Sequence, residues 1–178
     1  MAKLYGNRWR NIDNISEGGQ GIVVKVEDST QKLPGTYALK RLIHVNDASR
    51  RKRFAREIET LRKLDHPNIL KIIDQNLEGD KPYFVAEYCA AGSLKDADFD
   101  TLKRDIAVVV NILLRVIKGL EEAHKKHVIH RDIKPGNILF RKDGTAVLAD
   151  FGICHACPQR ADKTRGVVLL PSPYTYPS

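Results

Sequence analysis

Three cysteines in 178 residues, an odd number, cannot close the disulfide framework of a small secreted domain. A reducing cytoplasm is the expected compartment. No apolar core follows Met1-Ala2-Lys3-Leu4, where polar and basic residues stand instead, so nothing here resembles a secretory signal. Long hydrophobic runs are missing too. The longest apolar window, Ile106–Leu120, is interrupted by Asn111, Arg115 and Lys118 and is too short and too charged to span a bilayer. No membrane partner is expected. There is no internal repeat and no low-complexity tract. The net charge of +8 favours acidic partners without naming one. No aromatic platform or recognisable nucleic-acid module accompanies the basic residues, so no nucleic-acid partner is expected.

What remains is an ordinary globular composition, 42% hydrophobic and 29% charged. The length suits one good-sized domain or two small lobes. Oligomeric state is not legible.

The chemistry concentrates in His130-Arg131-Asp132-Ile133-Lys134-Pro135-Gly136-Asn137, directly after an apolar helical run. Asp132 can accept a proton from a hydroxyl. Lys134 can stabilise negative charge on a group in transfer. Asn137 offers a neutral oxygen of the kind Mg²⁺ accepts. Asp150-Phe151-Gly152 follows, with a second hard oxygen ligand and a residue that permits a sharp turn. A base, a cation and two metal ligands are what phosphoryl transfer requires, because its catalysis is mostly positioning and charge neutralisation. A polar loop followed by an ordinary strand and turn would explain either motif alone. Both together, in this order, with strand-like Ile138-Leu139-Phe140 and Ala146–Ala149 between them, make coincidence a poor account.

These residues resemble two motifs of eukaryotic-type Ser/Thr protein kinases: His130–Asn137 is similar to the catalytic loop and Asp150-Phe151-Gly152 to the metal-binding motif. The resemblance implies a two-lobed α+β fold. Residues 1–88 would form an antiparallel sheet lobe with one regulatory helix, and residues 89–178 an incomplete helical lobe.

Trp9–Ile15 and Ile22–Glu27 read as strands around Ser16-Glu17-Gly18-Gly19-Gln20-Gly21. Such a hairpin is either a plain turn or a phosphate cradle, since glycines let backbone N–H groups approach phosphate oxygens. It is similar to the kinase glycine loop, with Ser16 in place of the first glycine and Gln20 in place of the aromatic at the tip. Thr36–Lys40 is a strand whose period of two puts Ala38 and Lys40 on one face. It resembles the kinase Val-Ala-Ile-Lys element, which implies that Lys40 binds phosphates. A helix is predicted from about Asp47 to Leu64, capped by Asp47 or Ser49, with Phe54, Ile58, Leu61 and Leu64 as its apolar stripe. Glu57 sits at the edge of that stripe. A carboxylate near a buried face needs a cation, and Lys40 is the natural one. The basic run Arg50-Arg51-Lys52-Arg53 and Arg56 opposes the helix macrodipole. A solvated face is the favoured reading, with a dock for a phosphorylated loop ahead of a nucleic-acid patch.

Asp65-His66-Pro67-Asn68 ends the helix. Ile69–Asp74 and Pro82–Tyr88 read as strands, leading through Cys89 to the small-residue connector Ala90-Ala91-Gly92-Ser93. By resemblance this is the hinge, whose Glu87 carbonyl and Cys89 N–H would bond adenine. Ala86 would hold the gatekeeper position and leave a wider pocket. Thr101–Lys126 is the longest helical candidate, with Ile106, Val109, Val110, Leu113, Ile117 and Leu120 at helical spacing. His124, His127 and His130 lack a fourth ligand, and no metal is expected there. Cys154-His155-Ala156-Cys157 is weak support for zinc, and two unpaired thiols are the favoured reading.

The resemblance assigns catalysis to Asp132 and Lys134, Mg²⁺ to Asn137 and Asp150, and nucleotide contacts to Ile15, Gly18, Gly21, Val23, Ala38, Lys40, Glu57, Glu87, Cys89 and Leu139. It implies ATP and Mg²⁺ as cofactors, a protein substrate, and transfer of the γ-phosphate to Ser or Thr hydroxyls. Lys134 is the reason for Ser/Thr over Tyr. Beyond Gly152 no Ala-Pro-Glu motif precedes Pro171–Ser178, so a truncated kinase is expected, sticky along the Ile106–Leu120 stripe and weakly active at best. A nucleotide-binding protein without transfer and a basic nucleic-acid module stay open as alternatives.

Overall fold

The computed structural model describes residues 3–18, 21–97 and 105–151, and the backbone of 155–156. Gly19, Gln20, Gly152, Cys154 and Cys157, with the expectations that rest on them, lie outside the described residues.

A six-stranded antiparallel sheet is built from β1 (Leu4–Tyr5), β2 (Trp9–Gly18), β3 (Gly21–Asp28), β4 (Thr36–Arg41), β5 (Ile72–Asn76) and β6 (Tyr83–Glu87), in the order β1-β2-β3-β4-β6-β5. Its register alternates faces as the pleat requires. Val24, Val26, Leu39 and Val85 turn to one side and bury with Trp9, Tyr5 and Tyr83. Val23 stands opposite Lys40, Lys40 opposite Phe84 and Ala38 opposite Ala86, so these side chains share the other face. The short β1 strand has no counterpart in the sequence reading; two residues are too few to show a period.

At the outer end of the sheet a polar network ties β2 to the turn after β3. The Arg8 guanidinium donates to Asp28 Oδ2 at 2.8 Å and stacks over the Trp9 ring at 4.8 Å. The Asp28 carboxylate also accepts from the Thr30 N–H and hydroxyl at 3.0 and 2.6 Å and from the Leu33 N–H at 3.1 Å. Trp9, fully buried, donates its indole N–H to Asp74 at 2.7 Å. The bond from Arg8, aided by those from Thr30, holds the Asp28 carboxyl well below the usual carboxylate range. A depressed carboxyl contributes stability above its unfolded pKa of about 3.9 and loses it as pH falls further. Asp28→Asn should therefore unfold more easily than the parent at pH 7, and the gap should narrow as pH drops below about 4. Urea midpoints measured across that range check it; a constant gap would contradict it.

α1 (Ala48–Lys63) begins at Asp47, whose carboxylate accepts the N–H groups of Ser49 and Arg50 at 2.9 and 3.1 Å. This cap offsets the unfavourable placement of the basic run. Arg51 and Lys52 border an apolar cleft lined by Leu42, Phe54, Ala55, Leu77 and Pro82. The helix buries Phe54, Glu57, Ile58, Thr60 and Leu61, so Glu57 lies within the packed face rather than at its margin.

α2 spans Ile106–Lys125 and is capped by Asp105, which accepts from Ala107 N–H at 2.9 Å. The cap sets the start several residues after the predicted Thr101. The face that packs is Ile112, Val116, Gly119 and Ala123, not the predicted stripe. Of that stripe, Ile106, Val110, Leu113 and Ile117 are exposed, Ile106 by 76%, and Val109 and Leu120 are half-buried. Both faces are apolar, and the small residues mark the one that makes the close approach. A Cβ at Gly119 would lie 2.8 Å from the Asn68 carbonyl oxygen. Gly119→Ala gains about 1 kcal/mol of helix propensity, but overpacking costs about 1–3 kcal/mol. We expect net destabilisation in urea; a stabilised variant would contradict the contact.

The remaining elements are β7 (Val128–Ile129), a 3₁₀ turn at Pro135–Asn137, β8 (Ile138–Phe140), β9 (Ala146–Leu148) and β10 (His155–Ala156). β7 pairs with β10, and β8 with β9, each antiparallel. The predicted strand Ile69–Asp74 begins instead at Ile72. Residues 68–70 spend their backbone on β9, with Leu70 N–H to Leu148 O at 3.0 Å and Leu148 N–H to Asn68 O at 2.9 Å. One core cluster consequently runs from Phe54 and Ile58 on α1 through Ile69 and Leu148 to Val116 on α2 and Phe151.

Candidate functional site

Lys40 leaves β4 on the same face as Val23, Ala38 and Phe84. Its ammonium donates to both oxygens of Glu57, at 2.7 and 3.0 Å, and lies 3.6 Å from Asp150 Oδ1. Burial alone would lower the Lys40 pKa, but the carboxylates of Glu57 and Asp150 outweigh it and hold it above its ordinary value. Burial pushes the Glu57 carboxyl up, opposed by Lys40 and reinforced by the like charge of Asp150. The geometry therefore places one ammonium between two carboxylates at the seam between sheet, helix and loop.

The loop at 130–137 is held by its own polar groups. His130 is buried. The Asp132 N–H donates to His130 Nδ1 at 3.2 Å, which leaves the ring proton on Nε2, facing the Ala149 carbonyl at 2.9 Å. Burial lowers the His130 pKa and keeps this tautomer neutral. Lys134 Nζ donates to Asp132 Oδ2 at 2.6 Å. Asn137, buried, donates its amide N–H to the Asp132 carbonyl at 2.8 Å and to its carboxylate at 3.1 Å. The bond from Lys134, with that from Asn137, keeps the Asp132 carboxyl below its usual range and therefore ionised.

Two hydrogen bonds join this loop to Ala149, the residue before Asp150. Ala149 N–H donates to Asn137 O at 2.9 Å, and Ala149 O meets His130. Phe151, fully buried, stacks against His130 at 4.6 Å between ring centroids. Arg131 and Asp150 both take left-handed backbone angles, φ 67° and 61°. Non-glycine residues adopt that region rarely, and such strain gathers at functional sites.

The predicted nucleotide contacts fall on the facing elements. Ile15 on β2 is exposed, while Val23, Ala38 and Leu139 are half-buried. Gly18 pairs with Gly21 across the β2–β3 hairpin. A Cβ at Gly21 would strike the Arg41 carbonyl at 2.5 Å, so packing alone demands glycine there; a Cβ at Gly18 would meet nothing within 4 Å. Glu87 ends β6, and among the described residues the Cys89 N–H donates to no backbone carbonyl. Burial and the Glu87 charge push the Cys89 thiol up to about 12, which makes it a poor nucleophile at neutral pH. Ala86 is buried opposite Ala38 and Ile72, within the main core cluster.

Three contributors escaped the sequence reading. His130 serves as the bracket between loop and Ala149. Asn68 donates its side-chain amide to Ala146 O at 2.8 Å, pinning the segment after α1 to β9. Arg141 reaches back to the Glu87 carboxylate. His130 stood in the loop motif, but its bond to Ala149, like those of Asn68 and Arg141, has no local signal, since the partners lie 19 to 78 positions away.

As a cation site, Asn137 and Asp150 offer a neutral amide oxygen and a carboxylate, hard donors suited to Mg²⁺. The Asn137 amide nitrogen is already committed to Asp132, which leaves its oxygen for a cation. The donor set fits.

The protein kinase domain family model matches residues 9–172. The chain is 33% identical over 169 residues to the serine/threonine-protein kinase pak-1 of Caenorhabditis elegans, covering 94% of this chain and 28% of that protein. It is 34% identical over 155 residues to a probable serine/threonine-protein kinase of Clostridium perfringens, covering 86% of this chain and 22% of that protein. With PrkC of Bacillus subtilis, a serine/threonine-protein kinase, it shares 32% identity over 156 residues, 88% of this chain and 24% of the relative. The chain thus spans about a quarter of the length of these relatives. It belongs to the protein kinase family.

Proposed function

We propose that this chain carries the nucleotide-binding and catalytic part of a protein serine/threonine kinase, which moves the γ-phosphate of ATP to protein Ser or Thr hydroxyls. The observation that carries the reading is the continuity of its charged groups. Lys40 touches Glu57 and Asp150, and Ala149, next to Asp150, is bonded to the loop that bears Asp132, Lys134 and Asn137. We assign residues 1–88 to the lobe that holds ATP and 89–178 to the part that bears the loop. We propose the cytoplasm as its compartment, on the odd cysteine count.

In this reading Glu57 orients Lys40 towards the α- and β-phosphates. Asn137 and Asp150 would hold Mg²⁺, whose charge offsets that of the phosphates. Asp132 accepts the proton of the attacking hydroxyl, and Lys134, bonded to the same carboxylate, neutralises charge on the group in transfer. The open space at Gly18 suits close approach of a phosphate to its backbone. The adenine would lie among Ile15, Val23, Ala38 and Leu139, with its polar edge at the Glu87 carbonyl and the Cys89 N–H. Lys134 supports Ser/Thr over Tyr by family resemblance.

The test is incubation with γ-labelled ATP and a mixed protein substrate, with and without Mg²⁺. Label on Ser or Thr that depends on Mg²⁺ is the expected result. ATP binding without any transfer would favour the second reading, a nucleotide-binding kinase relative. Neither binding nor transfer would sink both.

A further inference from the structure

Glu87 is the residue whose carbonyl the proposed reading gives to adenine, and its side chain is held by three hydrogen bonds from two residues. Arg141 donates to it through Nε and Nη2, at 2.5 and 2.8 Å. The Lys71 N–H donates to the same carboxylate at 2.9 Å, while the Glu87 N–H donates to the Lys71 carbonyl at 3.1 Å. The remaining Arg141 nitrogen, Nη1, donates to the Pro67 carbonyl at 2.6 Å. One planar guanidinium thus joins the end of β6, the segment after α1 and the β8–β9 hairpin. A guanidinium suits this because its donors form a fixed fork that matches a carboxylate's two oxygens.

The hairpin that Arg141 grows from is itself part of the nucleotide floor in the proposed reading. Leu139 lies two residues before it. The connector after the hinge pairs along the same strand: Phe140 N–H to Gly92 O at 2.9 Å, Leu94 N–H to Ile138 O at 2.8 Å and Ala91 N–H to Phe140 O at 3.1 Å. Residues 87–94 are therefore fastened to β8 by backbone beyond Cys89 and, at Glu87, to the residue after β8 by the ion pair with Arg141. Between these two anchors lies Cys89, whose N–H faces no backbone acceptor among the described residues.

We propose that Arg141 is a positioning residue for the purine base: by clamping Glu87 to the β8–β9 hairpin it fixes the distance between the hinge hydrogen-bonding edge and the Leu139 floor. The role rests on the nucleotide-binding reading above. It concerns the base and not the phosphates, which are served by Lys40 and the glycine hairpin on other strands. Arg141→Met leaves the Glu87 carboxylate with the Lys71 N–H, uncouples it from the β8–β9 hairpin and lets the hinge edge drift. Arg141→Lys keeps the charge but loses the fork.

The experiment measures binding of Mg·ATP and of inorganic tripolyphosphate with Mg²⁺ to the parent, Arg141→Met, Arg141→Lys, Glu87→Gln and Arg141→Met/Glu87→Gln chains, with urea melts of each. Arg141→Met should weaken ATP by about tenfold, the scale of one or two hydrogen bonds held out of place, and leave tripolyphosphate unchanged. Arg141→Lys should fall between, and the Arg141→Met/Glu87→Gln double variant should be no weaker than the worse single one. Equal weakening of both ligands would make Arg141 a stability residue only and overturn the proposal. So would unchanged ATP affinity in a parent-like fold. If Arg141→Met fails to fold, the ratio of ATP to tripolyphosphate affinity in Arg141→Lys decides the matter in the same way. A parent chain that binds neither ligand overturns the nucleotide reading itself, and this role with it.

Discussion

Lys40→Met should lose phosphate transfer by about 10²–10³-fold or more, the cost of removing one well-placed electrostatic stabiliser. At 4 Å and an effective dielectric of 20, two unit charges interact by about 4 kcal/mol, so the ammonium is a large term for any phosphate it meets. The substitution also leaves Glu57 buried without its cation, a loss of about 3–5 kcal/mol in comparable buried pairs. That second effect has a sign that can be checked. With Lys40 gone, the Glu57 carboxyl is pushed higher still in the folded state. A carboxyl raised on folding costs stability as pH rises from its unfolded towards its folded value. Lys40→Met should accordingly melt closer to the parent at pH 5 than at pH 8. Adding Glu57→Leu to Lys40→Met removes the unpaired charge and should restore the melt without restoring transfer. Recovery of both would show that Lys40 supports the fold and not the chemistry.

Asp132→Asn should cut turnover by about 10²–10⁴-fold, the span attributed to a positioned general base, while the affinity for Mg·ATP stays within about twofold because no phosphate contact is removed. Asparagine preserves the shape that Asn137 and Lys134 bond to, but cannot take the proton. The acid limb of the rate profile supplies a second reading. The bond from Lys134 holds Asp132 below its usual carboxylate range, so the base stays ionised down to unusually low pH. Lys134→Ala should move the acid limb of kcat upward, towards about pH 4. Turnover unaffected by Asp132→Asn would remove this carboxylate from the chemistry. An acid limb that Lys134→Ala leaves in place would separate the lysine from the base.

The recovery of Lys40–Glu57 and its contrast with α2 show how far a one-dimensional reading reaches. Lys40 and Glu57 are 17 residues apart, on a strand and a helix, yet a buried carboxylate must find a cation, and resemblance to the kinase lysine strand singled out Lys40 over the basic run of the same helix. Strand alternation likewise put Ala38 and Lys40 on one face, and the β4–β6 register bears it out. α2 failed the same logic. Its residues are apolar around most of the circumference, so a hydrophobic period could not say which side packs. Gly119 and Ala123 decide it, because the helix approaches Asn68 most closely where side chains are absent.

From its order of residues alone, the chain showed the motifs of its family: the polar loop at 130–137, Asp150-Phe151, the lysine on β4 and the glycines of the β2–β3 hairpin. Those signals are local, each a few residues long, and local spacing survives without coordinates. Tertiary structure alone decided what holds them in register. His130 selects its tautomer because Ala149 and Asp132 face its two ring nitrogens. Asn68 stitches the segment after α1 to β9. Arg141 joins the hinge carboxylate to a hairpin 54 residues away. Apart from the Asp132–His130 bond, these join groups 19 to 78 positions apart that burial and register bring together, and no short window of sequence contains both partners.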